Sequence, residues 1–479
     1  MKNSKPRLVM LITTDEQRRD TLGIYGCEAI STPHIDSIGL QGECFDQAYT
    51  VSPWCMPSRC SILTGMYPHS HGAYSNFSGD PLDPEIPNLY TSARTAGYST
   101  AHFGKCHYER VRYGTFSPER TSASPGTRDY YMSLGIDHLA LQDDKNVSIW
   151  QYDDYSRELE TEELLDAYRR KAWNRKEGGV FEFPGQTCWH PDAWVGRKAR
   201  EYIDEWNGER DLFVWLSFSG PHYPIDPPKE YLARVDQDRL PPIQKREGEW
   251  DHGERIHESS YHGPGKIDGC GYLETRACKD YDEEYWKRMR THYLANMALI
   301  DEQVGSVLSA ANRTFGNDSL IMFTSDHGDM LGNHGLWGKH NCAYDEVLRV
   351  PFLMKRPGAG GEGRRISERI QTIDIFPTIS DWIGAGYTGV DGVTIDETVA
   401  GGGYEYTLAE GEGYYCVDDG RYRLVRAVVE RNDSPVYELY DRIADPHLYN
   451  NLYRKGEFNE VFERLRGKVE EQTAICEIL

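Results

Sequence analysis

The run Cys55-Met56-Pro57-Ser58-Arg59, followed by Leu63-Thr64-Gly65, sets a sulfur nucleophile just ahead of a cation at the mouth of a short helix. A match this short fits a buried structural cysteine equally well. Asp15-Glu16 supplies adjacent carboxylates, hard oxygen ligands for a divalent cation, although a plain acidic turn has the same composition. Asp326-His327-Gly328 adds a second carboxylate and an imidazole. With position 55, the residues Asp15, Glu16, Asp326 and His327 make a five-ligand metal site. Cationic residues recur as Arg59, as Lys105 and His107 in Gly104-Lys105-Cys106-His107, as His222 in Pro221-His222-Tyr223-Pro224, and as Lys339 in Gly338-Lys339-His340. Singly, each reads as a surface charge or a packed histidine. As a set they are what a tetrahedral anion needs, fixed positive charge and a proton donor for a leaving oxygen.

The elements around these residues argue for one shared site. Arg7 to Thr14 is nearly continuous in apolar side chains, as parallel strands covered on both faces are, and Asp15-Glu16 stands at its carboxyl end. Ser99 to Phe103, Asp211 to Phe218, Ser319 to Ser325 and Val350 to Lys355 are further short apolar strands. Thr32-Pro33 starts a helix, with Thr as N-cap and Pro at the first helical position. The longest helix is expected from Tyr281 to Ala311, with Met289, Tyr293, Met297, Ile300, Val304 and Val307 at three- and four-residue spacing. Strands alternating with helices predict an α/β fold with a mostly parallel sheet, whose ligands gather beyond the carboxyl ends of the strands. Asp15, Glu16, Lys105, His222 and Asp326 each fall just after such a strand.

His107 to Asp192 and Lys229 to Lys279 lack clear periodicity and are expected as long loops that select substrate. Beyond Thr372, the segments Tyr414–Val417, Tyr422–Val429 and Val436–Tyr440 read as strands before a helix from Glu457 to Cys476. The expected division is a catalytic domain over 1–371 and a smaller α+β subdomain over 372–479.

In this order, Asp15-Glu16, Cys55 to Arg59, Gly104 to His107, Pro221-His222, Asp326-His327-Gly328 and Lys339 resemble the type I sulfatases of the alkaline phosphatase superfamily. Thr32-Pro33-His34-Ile35-Asp36, Arg349-Val350-Pro351, Asp374 to Thr378, Leu439-Tyr440-Asp441, Asp445-Pro446 and Asn451-Leu452 are similar to that family's scaffold segments, so the likeness spans nearly the whole chain. The resemblance implies an alkaline-phosphatase-like central sheet flanked by helices. It also implies that Cys55 is oxidised after translation to formylglycine (3-oxoalanine), whose hydrate attacks sulfur. Asp15, Glu16, Asp326 and His327 would hold one divalent metal ion with the modified Cys55. Arg59 would steady the hydrate, His107 would contact it, and Lys105, His222 and Lys339 would neutralise sulfate oxygens or assist the leaving alcohol. The implied activity is hydrolysis of a sulfate ester to alcohol and inorganic sulfate.

Two departures bear on substrate and metal. The chain has Asp-Glu and Asp-His where many sulfatases have Asp-Asp and Asp-Asn, and Asp-His-Gly is also similar to the phosphonate monoester hydrolases. Hydrolysis of a phosphonate monoester or phosphodiester at the same formylglycine site is therefore the alternative. Calcium is the expected metal, while nitrogen in the ligand set opens manganese and zinc.

The 479 residues exceed the ~250 to 300 at which single cores stop growing. Lys and Arg total 53 against 76 Asp and Glu, a net charge of -23 that disfavours nucleic acid and long polyanions. The dense basic run Arg169-Arg170-Lys171 with Arg175-Lys176 is expected on a solvated helix face. Eleven scattered cysteines suit free thiols. No apolar stretch approaches the ~20 residues of a membrane span. Without a signal h-region the expected location is cytoplasmic, or periplasmic or secreted if a leader was removed. The 32 tyrosines and acidic balance favour an aryl sulfate, a short saccharide sulfate or another small molecule. The expected partners are that ester, a formylglycine-generating maturation enzyme and, in a homo-oligomer, a second copy of the chain.

Overall fold

The computed structural model describes residues 7–110, 126–173, 179–251, 255–263, 277–339, 342, 344–358, 361–411, 413–427, 436–453, 456 and 458–478. The first strand, β1 (Leu8–Asp15), is buried along its whole length. It runs through a nine-stranded sheet with β2 (Glu43–Tyr49), β3 (Ser99–Gly104), β4 (His138–Leu141), β5 (Leu212–Pro221), β6 (Ser319–Ser325), β7 (Arg349–Val350), β8 (Phe352–Lys355) and β9 (Arg364–Gln371). The order is β4-β3-β5-β1-β6-β8-β2-β7, with β9 beside β2. From β4 to β6 all neighbours are parallel. Beyond β6, strand β8 runs antiparallel to both β6 and β2. The sheet is thus mostly parallel, and β7 and β8 are separated at Pro351, which has no N–H to give to a ladder.

Alternation of side chains along the strands makes two cores. Leu8, Met10 and Ile12 of β1 join Leu212, Val214 and Leu216 of β5 on one face, under the helices Pro191–Asp204 and Glu283–Phe315. Val9, Leu11, Phe213, Trp215, Leu320 and Met322 point to the other face, under the helices Cys55–Thr64, Leu89–Thr95 and Ile375–Ile383. Because both faces are covered, the strands read as unbroken apolar runs.

A second sheet of four antiparallel strands, β10 (Thr407–Gly411), β11 (Tyr414–Asp418), β12 (Tyr422–Ala427) and β13 (Val436–Asp441), follows in sequence order. The last helix, Asn459–Ile478, lays Leu465 and Val469 on Val417, Leu424 and Leu439 of that sheet. Just past position 371, the helix Ile375–Ile383 sends Ile375, Phe376 and Ile379 into the core of the large sheet.

Several local expectations are corrected. His107 to Asp192 is not one long loop, since it holds β4 and the helices Thr127–Ser133, Lys145–Gln151, Asp154–Thr161 and Leu165–Ala172. Asp144 and Asp153 cap two of these helices, and Ile149, Trp150, Tyr155, Leu159, Leu165 and Tyr168 bury against the core. The elements are too short for a periodic pattern to stand out. Arg169 is not on a solvated face: its side chain is 12% exposed and its Nε donates to Ile149 O at 2.6 Å. Arg175 and Lys176 lie outside the described residues. In Lys229 to Lys279 the described residues form short helices at Lys229–Leu232 and Glu258–His262. Thr32 does not cap its helix through a backbone N–H; its Oγ accepts from Gly23 N at 2.9 Å and donates to Asp36 at 3.1 Å. The long helix runs from Glu283 to Phe315, and β12 ends at Ala427 with 428–435 outside the described residues. Cys27, Cys44, Cys60, Cys106 and Cys416 are buried thiols outside any disulfide. Among the described residues no helix is long and apolar enough to cross a membrane.

Candidate functional site

Strand register brings the two carboxylate segments together. In the parallel pair β1 and β6, Thr14 lies opposite Ser325, so Asp15 and Asp326 leave the sheet side by side. Glu16 turns into the left-handed region (φ 64°), where its N–H donates to Asp326 Oδ1 at 3.1 Å. On the other flank of β1, His222 N donates to Asp15 O at 3.1 Å. Gly104 ends β3 with φ 99°, and a Cβ there would stand 1.9 Å from Ser217 O. Only glycine permits that approach, and it lets Lys105 N donate to Ser217 O as the chain turns into the crevice. A Cβ on Gly328 would likewise meet Glu346 O at 1.9 Å, which explains the glycine of Asp326-His327-Gly328.

Cys55 is the first residue of the ten-residue helix Cys55–Thr64, so the positive end of the helix faces position 55. Its Sγ lies 2.9 Å from Lys339 Nζ, 3.2 Å from His327 Nε2 and 3.7 Å from Asp15 Oδ1. One turn later Arg59 reaches both strand-end carboxylates, with Nε 2.8 Å from Asp326 Oδ2 and a terminal nitrogen 3.3 Å from Asp15 Oδ2. Another terminal nitrogen donates to Ser217 Oγ at 2.7 Å and Lys105 O at 3.1 Å. Lys105 Nζ is paired with Asp15 and lies 2.5 Å from Asp144 Oδ2. His222 Nε2 and Lys339 Nζ stand 3.4 and 3.7 Å from Glu16 Oε2. Asp15, Glu16, Cys55, Arg59, Lys105, His222, Asp326, His327 and Lys339 therefore stand in one cluster, with His107 near enough to feel the charges of Lys105, Asp144, Arg59 and Asp15; the histidine of Gly338-Lys339-His340 lies outside the described residues.

The cluster is buried. Asp15, Lys105, Asp326, His327 and Lys339 have no exposed surface, whereas His107 and His222 keep 5% each and mark the side facing solvent. Burial pushes the Asp15 carboxyl up, but Lys105, His222, Arg59 and Lys339 together outweigh it and hold the group well below the usual carboxylate range. Burial lowers Lys105, and Asp144 with Asp15 reverse this and keep the amine charged. Burial, then repulsion from Lys339, lowers His222 to about 4. His107 and His327 are lowered mainly by burial too, so all three rings are neutral at pH 7. The Cys55 thiol is pushed up by burial and next by Asp15.

Neutral rings have definite tautomers here. His327 Nδ1–H donates to Gly328 O at 3.0 Å, and His222 Nδ1–H donates to Tyr223 O at 2.6 Å. Each therefore turns a bare Nε2 into the crevice, the arrangement a metal-binding or proton-accepting imidazole needs. Single ligand atoms of Asp15, Cys55, Asp326 and His327 lie within 4.8 Å of one another, as do those of Asp15, Glu16 and His222.

Sequence reasoning missed Asp143, Asp144 and Ser217. Asp143 and Asp144 stand just past the end of β4 much as Asp15 and Glu16 stand at the end of β1, so a carboxylate pair at a strand end was the available signal. It was lost because β4 has only four residues and lies in the stretch read as a loop.

Residues 7–385 match the sulfatase family, and residues 332–474 match the C-terminal part of N-sulphoglucosamine sulphohydrolase. The chain belongs to the sulfatase family, within the alkaline phosphatase superfamily. It is a sulfuric ester hydrolase. It is 29% identical to an arylsulfatase of Clostridium perfringens over 96% of this chain and 93% of that one. An N-acetylglucosamine-6-O-sulfatase of Bacteroides thetaiotaomicron is 24% identical, over 98% of this chain and 86% of the other. The structure of a phosphonate monoester hydrolase from Silicibacter pomeroyi superposes with a TM-score of 0.78 at 21% identity, covering 97% of this chain and 95% of that one, a likeness of fold.

Proposed function

We propose that the protein hydrolyses the sulfate ester of a small molecule, an aryl alcohol or a short saccharide, with position 55 matured to formylglycine by a dedicated enzyme and one divalent metal ion bound beside it. The observation that carries this reading is the packing of Arg59, Lys105 and Lys339 with the carboxylates of Asp15 and Asp326 around the Cys55 sulfur, at the start of a helix. Its donor chemistry fits a metal, because two carboxylates and the bare Nε2 of His327 approach one point, with Glu16 alongside. Calcium suits the oxygens, and the imidazole admits manganese or zinc. When present, the ion would supply Lewis acidity at position 55 and the formylglycine a hydrated aldehyde as nucleophile.

The protein's own groups then divide the work. Arg59 ties Asp15 to Asp326 and keeps both ligand arms at fixed separation. Lys105 has three N–H donors; Asp15 and Asp144 take two, which leaves one for a sulfate oxygen. Lys339, 2.9 Å from the Cys55 sulfur, supplies a second positive charge to the same group. His222 rests neutral, and an arriving sulfate anion favours its protonated form, so that Nε2–H becomes a donor to the leaving oxygen. His107 has no hydrogen-bond partner at either ring nitrogen among the described residues, and is available to the nucleophile.

The test compares kcat/KM of the matured enzyme for an aryl sulfate and the matching aryl phosphonate monoester, with a panel of sulfated mono- and disaccharides. A larger value for a sulfate is expected. A much larger value for the phosphonate would overturn the reading in favour of phosphonate hydrolysis. Peptide mass spectrometry across Cys55 reports maturation, and only unmodified thiol in protein from its native host would remove the formylglycine.

A further inference from the structure

One short segment outside the expected site residues reaches three of them. It is the segment Asp143–Asn146, which follows β4 and opens the helix Lys145–Gln151 with Asp144 as its N-cap. Asp143 Oδ1 accepts from Cys106 N at 3.0 Å and His107 N at 2.9 Å, and its Oδ2 accepts from Tyr131 OH at 2.7 Å. His107 needs such support, because its backbone lies in the left-handed region (φ 51°), where a non-glycine residue is strained. Asp144 Oδ2 lies 2.5 Å from Lys105 Nζ, and its Oδ1 accepts from Asn146 N at 2.8 Å. Asn146 Nδ2 donates to Tyr223 O at 3.2 Å. That carbonyl also accepts from His222 Nδ1 at 2.6 Å, so Asn146 aims the very oxygen that sets the His222 tautomer.

Lys145 anchors the segment from behind. Its buried Nζ donates to Asp226 Oδ1 at 2.9 Å, Asn296 Oδ1 at 2.8 Å and Pro224 O at 3.4 Å. Asn296 in turn donates to Asp192, which accepts from Gly220 N at 2.8 Å. The segment 220–224 that carries His222 is thereby held at both ends by the same network.

We propose that Asp143, Asp144 and Asn146 are positioning residues for sulfate ester hydrolysis, which set His107, Lys105 and His222 respectively from one short segment. This rests on the sulfatase reading of the site. A backbone displacement of about 1 Å in a supporting element is enough to cost up to 100-fold in rate, so each residue is expected to matter without touching substrate.

The experiment uses the full-length matured enzyme with Asp143→Ala, Asp143→Asn and Asn146→Ala. Formylglycine occupancy is measured by peptide mass spectrometry, folding by thermal melting, and kcat and KM with an aryl sulfate. Expected are falls of about 10- to 100-fold in kcat per matured site for Asp143→Ala and Asn146→Ala, with KM within about threefold. Asp143→Asn keeps an acceptor for the two backbone N–H groups and is expected to recover most of the loss. Crystal structures of Asn146→Ala and Asp143→Asn read the positions of His222 and His107 without turnover. A shifted or rotated His222 ring in Asn146→Ala, with His107 unmoved in Asp143→Asn, supports the proposal. Matured, folded variants with kcat within twofold of the parent, or with His222 in place in Asn146→Ala, overturn it. Should Asp143→Ala not fold, Asn146→Ala, which changes no charge, decides alone. A parent enzyme inactive on sulfate esters would sink the sulfatase reading instead, and the crystal structures would still decide the positioning role.

Discussion

Arg59 and Asp326 share a hydrogen bond of 2.8 Å with the guanidinium and the carboxylate both out of reach of water. The same guanidinium reaches Asp15 at 3.3 Å, so one cation holds two strand ends together. Its helix position follows from the spacing of Cys55 and Arg59, one turn apart, which puts both on the side facing the crevice.

Replacing Arg59 by Met removes the charge and leaves two buried carboxylates facing each other. The expected loss is about 3–5 kcal/mol, the cost of breaking a buried ion pair by removing one partner. Added divalent metal should recover part of it, since a ligand that binds only the folded state stabilises it. Denaturant midpoints with and without metal check this. A variant as stable as the parent, with the same response to metal, would contradict the assignment of Arg59.

His327 predicts a metal preference. Its Nε2 faces the Cys55 sulfur at 3.2 Å, and its other nitrogen is committed to Gly328 O. In His327→Asn an oxygen replaces nitrogen, and selectivity should move towards calcium, with affinity for manganese and zinc falling about 10- to 100-fold. Chelator-stripped protein titrated with each ion and assayed for bound metal reads this directly. Unchanged relative affinities would remove His327 from the ligand set.

Most of the site was legible in the sequence because its residues stand at the ends of long apolar strands, where an acid, a lysine or a histidine is conspicuous. Asp15, Lys105, His222 and Asp326 all followed from that rule, and the sheet makes them neighbours by parallel register. Strand β2 was not legible. Its Glu43, Cys44, Phe45, Asp46 and Gln47 are too polar to read as a covered strand, and pairing with β8 and β9 is what holds it. Asp143 and Asp144 were hidden for another reason. The carboxylate pair is visible in the sequence, but the four-residue strand before it is not, and neither are the contacts to Cys106, His107 and Lys105, nearly 40 residues away in sequence.

The small sheet is fastened by ions to the short helix Asp345–Leu348 that precedes β7. Asp345 accepts from Arg423 at 2.8 Å and from Arg442 at 2.6 Å, while Asp418 pairs with both arginines from within the sheet. Asp345→Leu would leave two arginines competing for Asp418. As Asp345 is a third exposed, the expected loss is about 2–3 kcal/mol, between the surface and buried limits. Limited proteolysis should then cut between the two sheets faster than in the parent. Equal cleavage rates would show that the apolar contacts of Tyr49, Tyr344, Tyr414 and Tyr440 hold the sheet without this ion cluster.

A second joint, between the segment carrying His69 and the small sheet, depends on a histidine that can titrate. His69 donates to Glu410 Oε1 of β10 through both Nδ1 and its backbone N–H, each at 2.8 Å. Burial alone would lower the imidazole, but the hydrogen bond and charge of Glu410 outweigh it and the group is raised above 6.5. With the folded-state value above the unfolded one, the protonated ring stabilises the fold in full below pH 6.5, and that contribution is lost as pH rises through the raised value. His69→Gln keeps a donor and removes the charge. Its stability deficit should therefore be greatest near pH 6 and shrink by on the order of 1 kcal/mol by pH 9. Denaturant midpoints of parent and variant at the two pH values measure this, and a deficit that stays constant or grows with pH would refute the charged pairing of His69 with Glu410.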